Sequence, residues 1–314
     1  MSLRAFTNVF AGNPLDRASD RRGDAAFLEA ALNDPESLAL ALWNGRPLLE
    51  ASPEGKPRIA YLAARRAREL AAAFGEAEER LLFLGLWKTT AVFALDLDGE
   101  ADPADGPLAG LGRFEDLRAS AAQLDGGEAA MISGAKAMFE WRRRHPHCPA
   151  CGAATTVAEA GWKRICPACG AEHFPRTDPV VIMLPVKGER CLVGRQAVWP
   201  PKMYSALAGF LEPGESIEEA CARELKEEAG LTTVRVHYHS TQPWPYPSSL
   251  MIGLVAEVAS EDAVADGVEL EEVRWLSREE AKAVIAGSHA ETKAPGALAI
   301  AHQLLKAWSE GWPD

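Results

Sequence analysis

The sequence has no apolar run near the roughly 20 residues that a membrane-spanning helix requires. Its first stretch, Met1 to Arg17, lacks the apolar segment of a secretory signal. Both absences point to a soluble, cytoplasmic protein with no membrane partner. Positive charge is scarce: 33 Lys and Arg stand against 45 Asp and Glu, a formal net charge of −12. A protein whose main task is gripping nucleic acid wants a basic surface, so that class is disfavoured. A small nucleotide held through bound cations is not excluded. No internal repeat and no low-complexity tract is apparent. Cysteine is limited to six residues, four of them in two Cys-x-x-Cys pairs. The other two, Cys191 and Cys221, sit in apolar-alternating and helical patterns and read as small buried hydrophobes. No disulfide is expected.

What is present is an ordinary globular composition, 47% hydrophobic and 25% charged, on 314 residues. That length allows two or three compact units, each with its own core. Residues 1 to about 125 read as mixed α/β without a catalytic signature. Strands are expected at 37–43 and from 48 on, joined by a turn at Asn44-Gly45-Arg46-Pro47, with a second pair at 81–87 and 91–97. Residues 99–106 read as a loop, and 114–144 as helical with an interruption at Asp125-Gly126-Gly127, linking onward to about residue 143. Beyond residue 177 the pattern alternates: strands at 180–185, 191–194, 204–210, 234–239, 250–258 and 272–275, helices at 216–229, 278–285 and 297–308.

Between these segments, residues 144–176 carry Cys148-Pro-Ala-Cys151-Gly and Cys166-Pro-Ala-Cys169-Gly, 14 residues apart. Two such knuckles supply four thiolates for one tetrahedral Zn²⁺, with no open coordination position, so the metal is expected to be structural. His145, His147 and His173 lie nearby without ligand spacing. Residues 141–176 also hold six basic side chains (Arg142, Arg143, Arg144, Lys163, Arg164, Arg176) against Glu159 and Glu172. That local excess could touch phosphates or form a solvated rim.

The most informative stretch runs from Gly209 to Leu231. Pro213-Gly214 makes a turn, Ser216 with Glu219 forms a capping box that starts a helix, and Gly230 ends it. On that helix Glu224, Glu227 and Glu228 are spaced i, i+3 and i+4, so the three carboxylates share one face. Their repulsion, about 0.2–0.5 kcal/mol per pair on an exposed helix, is tolerable in water. Behind a Gly-rich turn with further acids, the cluster points instead to a hard divalent cation, Mg²⁺ or Mn²⁺. Such an ion neutralises pyrophosphate oxygens and activates water.

This stretch resembles the Nudix box in every defined position: Gly209, Glu215, Arg223, Glu224, Leu225, Glu227, Glu228, Gly230 and Leu231. The resemblance implies a Nudix α/β/α sandwich with a mixed sheet, an α/β (α+β) fold, over 177–314. It also implies Glu224 and Glu228 as metal ligands with the carbonyl of Ala208, and Glu227 as ligand or base. Glu215 and Arg223 would form a structural ion pair beside the structural glycines Gly209 and Gly230.

Twelve residues past Gly230 begins Gln242-Pro243-Trp244-Pro245-Tyr246-Pro247-Ser248-Ser249, a stiff segment whose prolines alternate with aromatics. With the cysteine quartet before it, the combination is similar to the NADH pyrophosphatase family of Nudix hydrolases. Thr241 and Tyr246 stand where that family has Ser and Phe. The resemblance implies an N-terminal Nudix-like α/β domain (1–125), a zinc ribbon (144–176), a homodimer, and cleavage of NADH or NAD⁺ to AMP and nicotinamide mononucleotide. It places residues 242–249 along the substrate, Phe174 and Phe210 against a base or nicotinamide ring, Ala301 at the substrate through its backbone, and Arg118 as a weaker phosphate contact. A further carboxylate ligand is expected from Glu269-Leu-Glu271-Glu272, read as the start of a strand, with Glu269 preferred. Rival readings are removal of NAD caps from RNA, hydrolysis of ADP-ribose or other nucleoside diphosphate derivatives, and a non-catalytic zinc-ribbon protein that binds or senses a nucleotide. The intact box disfavours the last.

Overall fold

A computed structural model describes residues 8–312. The chain divides into two compact units, each discontinuous in sequence. The first comprises Phe10–Thr177 with Trp244–Ser248; the second comprises Asp178–Pro243 and the chain from Ser249 on, with Asn8 and Val9. Among the described residues no helix is long and apolar enough to cross a membrane.

In the first unit, helix α1 (Ala25–Asn33) precedes β1 (Leu38–Trp43) and β2 (Arg46–Ala51). These strands join through Asn44 and Gly45, both at positive φ (49° and 75°), the geometry a two-residue hairpin turn needs. Then follow β3 (Pro57–Ile59), β4 (Leu62–Ala63), α2 (Ala64–Phe74), α3 (Ala77–Arg80), β5 (Leu81–Trp87), β6 (Thr90–Leu97), β7 (Arg113–Phe114), α4 (Leu117–Ser120) and α5 (Gly126–Arg144). The sheet order is β3-β2-β1-β6-β5, with β4 added to β1 and β7 to β2. The helix expected over 114–144 is therefore two helices, and its apparent interruption is a start signal. The Asp125 carboxylate accepts the Gly127 N–H at 2.9 Å and caps α5. Three short strands, β8 (Thr156–Ala158), β9 (Lys163–Ile165) and β10 (Glu172–His173), complete this unit as the cysteine-bearing ribbon.

The second unit contains β11 (Asp178–Lys187), β12 (Arg190–Arg195), β13 (Leu207–Phe210), α6 (Ile217–Ala229), β14 (Thr233–Trp244), β15 (Ser249–Val258), β16 (Glu272–Ser277), α7 (Arg278–Ile285) and α8 (Ile300–Ser309). Its mixed sheet runs β14-β15-β11-β12-β16, with β11 parallel to β15 and β13 antiparallel to β11. Alternation along β11 builds two cores. Val181 and Met183 pack with Ala220, Cys221 and Leu225 of α6; Ile182, Leu184 and Val186 pack with Leu304, Leu305 and Trp308 of α8. The result is an α/β/α sandwich. Cys191 and Cys221 are fully buried and unbridged. Strand 204–210 forms only from Leu207, helix 297–308 only from Ile300, and β14 extends five residues past 239 to Trp244.

The two sheets share a plan, a repeat that the sequence alone does not make apparent. In the first unit β1 is parallel to β6 as β11 is to β15, α2 follows β4 as α6 follows β13, and β7 pairs with β2 as β16 pairs with β12. Ala67-Arg68-Glu69-Leu70 and Gly75 match Ala222-Arg223-Glu224-Leu225 and Gly230 on these helices. Ala72 and Ala73 stand where α6 has Glu227 and Glu228, and β4 runs directly into α2 without the intervening acidic loop.

Candidate functional site

The loop–helix unit around α6 is held by its own polar groups. Ser216 and Glu219 exchange both capping-box hydrogen bonds, at 3.2 and 2.7 Å. Gly230 adopts the left-handed conformation (φ 70°) that stops the helix. Arg223 is the clamp. It donates twice to Glu215, at 2.6 and 2.9 Å, and once to the Phe210 carbonyl at 2.9 Å. Its remaining nitrogen reaches Glu224 at 2.8 Å and Glu227 at 3.1 Å. Glu215 also accepts the Glu212 N–H at 2.9 Å. The Arg223 guanidinium and this N–H hold the Glu215 carboxyl down at about 2.

Two acids of the α6 face are buried: Glu224 is 7% exposed and Glu228 4%. Glu227 is exposed. Burial pushes Glu228 up to about 8, and the charges of Glu224, Glu269, Asp266 and Glu227 add to it. Burial also raises Glu224, opposed by Arg223. One Glu228 oxygen is buried without a hydrogen-bond partner. Gly209 explains how the β13 backbone, with Ala208 beside it, meets this group. A Cβ there would lie 1.8 Å from the Glu224 carboxyl carbon, so any side chain at 209 would push that carboxylate aside.

Glu269 lies outside the strand expected for it from sequence. It sits in a bend before β16, which starts at Glu272, so strand alternation does not orient it. Asp266, which the sequence did not single out, does: its carboxylate accepts the N–H groups of Glu269 and Leu270 at 3.0 and 2.9 Å, and its own N–H donates to the Glu228 carbonyl at 3.1 Å. Leu270 is buried and anchors the bend. The alternatives are engaged elsewhere, Glu271 with Arg195 and Glu272 with Arg274 at 2.7 Å. The Asp266-Gly267 pair is the turn signal that could have marked this bend.

A buried carboxylate with an orphan oxygen beside further acids fits a divalent cation. The cysteines converge more tightly than these acids do. Among the described residues, the group of candidate ligands whose atoms all lie within 4.8 Å is Cys148, Cys151, Cys166 and Cys169. Sγ atoms of Cys148 and Cys169 are 3.7 Å apart, and those of Cys151 and Cys166 3.5 Å. The edge of a ZnS₄ tetrahedron with Zn–S near 2.3 Å is about 3.8 Å, so the quartet fits zinc. Gly152 and Gly170, at φ 76° and 75°, close the knuckles by donating to Cys148 and Cys166 carbonyls. No histidine joins this group.

The basic excess of the ribbon is largely neutralised within its own unit. Arg142 is buried and donates to the carbonyls of Gly161, Glu79 and Leu81. Arg143 pairs with Asp96 and Glu140, Arg144 with Glu140, and Lys163 with Glu159 and Glu172. Arg164, 4% exposed, grips Glu79 at 2.7 and 3.0 Å.

The 242–249 segment separates into two parts. Gln242, in the second unit, is 1% exposed; it donates to the carbonyls of Val9 (3.1 Å) and Leu298 (2.8 Å) and accepts the Ile300 N–H at 2.8 Å. Its amide is thus engaged in bracing the start of α8, where Ala301 is buried. Trp244 and Tyr246, in the first unit, meet edge to face at 5.3 Å, and Phe10 packs against both. Arg118 lies over Tyr246 at 4.4 Å and over Trp244 at 5.6 Å, and Lys136 over Tyr246 at 5.5 Å. Pro245 is buried, while Pro243, Pro247, Ser248 and Ser249 are half-buried. Phe174 and Phe210 are 63% and 60% exposed, free faces on their respective units.

Comparison with known proteins agrees with this anatomy. Three family models match: the NUDIX domain at residues 175–295, the NADH pyrophosphatase-like rudimentary NUDIX domain at 36–141, and the NADH pyrophosphatase zinc ribbon domain at 143–174. The NAD-capped RNA hydrolase NUDT12 of Macaca fascicularis is 35% identical across 96% of this chain and 73% of its own length. The human protein of that name is 44% identical over 59% of this chain, and the NAD-capped RNA hydrolase NudC of Mycobacterium bovis 41% over 62%. Those matches span 43% and 64% of the relatives' lengths. With all three family models matched in order and a relative of this identity covered over most of its length, the chain belongs to the NADH pyrophosphatase family of Nudix hydrolases.

Proposed function

We propose that the chain hydrolyses the diphosphate of NADH or NAD⁺ to AMP and the reduced or oxidised nicotinamide mononucleotide. The observation that carries this reading is Glu228: buried, one oxygen without a partner, and beside Glu224 and Glu269. Glu224, Glu228, Glu269 and the Ala208 carbonyl would hold Mg²⁺ or Mn²⁺, which supplies charge neutralisation on the diphosphate oxygens and a lowered water pKa. Glu227, exposed and touched by Arg223, is the group to take the proton of the attacking water. Water adds its oxygen to one phosphorus, the bridging P–O bond breaks, and the two mononucleotides leave. Phe174 and Phe210 offer exposed rings for stacking, residues 242–249 frame the substrate, and Ala301 presents its backbone.

The same proposal reads the chain as an N-terminal domain (1–125, with its linking helix to about 143), a structural zinc ribbon (144–176) and a catalytic domain (177–314). It also reads the protein as a homodimer in the cytoplasm, where six unbridged cysteines suit a reducing compartment. Removal of NAD caps from RNA, the same chemistry on a longer substrate, draws support from the activity for which the relatives are named. The paired charges of the ribbon lend that reading little.

Chromatography of products formed from NADH in Mg²⁺ or Mn²⁺ tests the reaction. AMP with reduced nicotinamide mononucleotide is the expected result; release of free nicotinamide, or no turnover of any dinucleotide, overturns it. Comparing kcat/KM for NADH, NAD⁺, ADP-ribose and NAD-capped RNA then ranks the substrates.

A further inference from the structure

The first unit contains a cavity of about 520 Å³ between α1, the β5–β6 pair and the ribbon. That size lies within the range of about 300–1,000 Å³ typical of small-molecule sites, whose walls are mostly apolar with a few polar groups. Its floor is Phe83 and Phe93, both buried, and its walls are Leu28, Leu32 and Leu81, all half-buried. The ribbon closes one side with residues 157–160. Glu159 and Ala160 there both have φ near +49°, a left-handed conformation that side chains other than glycine seldom adopt. Such strain concentrates at ligand sites.

The charges on the walls identify the ligand class. Arg68 pairs with Glu29 at 2.9 Å, and Glu159 with Lys163 at 2.6 Å. Glu78 is exposed to solvent. Arg22 remains. Its guanidinium lies over Trp162, 3.9 Å from the ring centre, and its Nε is buried without a hydrogen-bond partner. Arg17 shares the same indole at 5.6 Å, so two cations are gathered on one ring. A guanidinium with a buried, unanswered N–H at the edge of an apolar hollow calls for an anion attached to a hydrophobic body.

We propose that this cavity is a binding site for a flat aromatic anion, its ring system on Leu28, Leu32 and Phe83 and its acid group on Arg22. The site lies wholly within the unit whose α2 carries alanines in place of two box acids, so its ligand is an effector rather than a substrate. This goes beyond the dinucleotide hydrolysis proposed above and does not depend on it.

The test uses the full-length, zinc-loaded protein and 8-anilinonaphthalene-1-sulfonate, a fluorescent aromatic anion, as the probe. Saturable binding at one site per chain is expected, undisturbed by excess AMP. Leu28→Trp, which fills the hollow, should weaken it at least tenfold. Arg22→Leu should weaken the sulfonate about tenfold while leaving its uncharged analogue, N-phenyl-1-naphthylamine, within about twofold. Thermal midpoints and zinc content of both variants report that they are folded. Absence of saturable binding, displacement by AMP, or unchanged affinity in Leu28→Trp overturns the site. Equal weakening of both probes by Arg22→Leu overturns the choice of an anion.

Discussion

At the scale of single residues, a buried carboxylate with an unpartnered oxygen destabilises the fold while it is charged, and Glu228 is such a group. Its folded-state pKa, about 8, lies above the ordinary 4.5. The neutral form's stabilisation is therefore complete below about 4.5 and is lost as pH rises through about 8. Without added Mg²⁺ or Mn²⁺, the thermal midpoint should fall between about pH 5 and pH 9, and Glu228→Gln should flatten that fall; parallel profiles for the two proteins would remove Glu228 as the cause. Adding Mg²⁺ at about pH 9 should restore the wild-type midpoint and not that of the variant. Glu269→Gln should lower kcat by about 10²-fold, some 2.7 kcal/mol of barrier, with little change in midpoint. Near-normal turnover of Glu269→Gln across a Mg²⁺ titration, with Glu224→Gln inactive, sinks that ligand assignment. The spacing of Glu224, Glu227 and Glu228 is legible in the sequence because a helix has one period. The placement of Glu269 is not, because a bend held by Asp266 has none.

Elements show where pattern suffices and where it fails. Strands β5, β6, β11 and β15 stand out as apolar runs because each is buried over most of its length. The charge of the ribbon cannot be judged from its own residues, since Asp96 and Glu79, which neutralise Arg143 and Arg164, lie 47 and 85 positions away. The repeat is faint in the sequence because only Ala-Arg-Glu-Leu and a closing glycine survive on α2. That comparison yields a paired prediction. Glu224→Gln on α6 should abolish turnover, while Glu69→Gln on α2 should leave kcat/KM within about twofold; a large loss in the second would mean that α2 still serves the chemistry. Gly209→Ala should also lose activity, since its Cβ would collide with the Glu224 carboxylate. A normal rate in that variant would show that the β13–α6 contact can relax. In the ribbon, one Zn²⁺ per chain is expected by elemental analysis after purification without chelator. Cys166→Ser should lower the yield of folded protein more than the kcat of what folds, because the metal contributes folding energy there.

For the whole molecule, association is testable directly: sedimentation should give twice the chain mass of 33.8 kDa if the protein is a homodimer, and a value near the chain mass rejects it. The other large-scale feature is the way the units use the chain. Nearly all of the first unit is contiguous, from Phe10 to Thr177, whereas the second draws on Asn8 and Val9, the middle and the final helix. Gln242 joins these pieces, one amide bonded to Val9, Leu298 and Ile300. During synthesis the first unit can therefore close, and its cysteines take up zinc, once Thr177 has left the ribosome, lacking only Trp244–Ser248. The second unit must wait for its last helix, because the sheet face bearing Ile182, Leu184 and Val186 stays uncovered until α8 has been made. A nascent chain stalled between Thr177 and Ile300 should already resist protease over residues 10–177 while remaining cleavable from 178 onward.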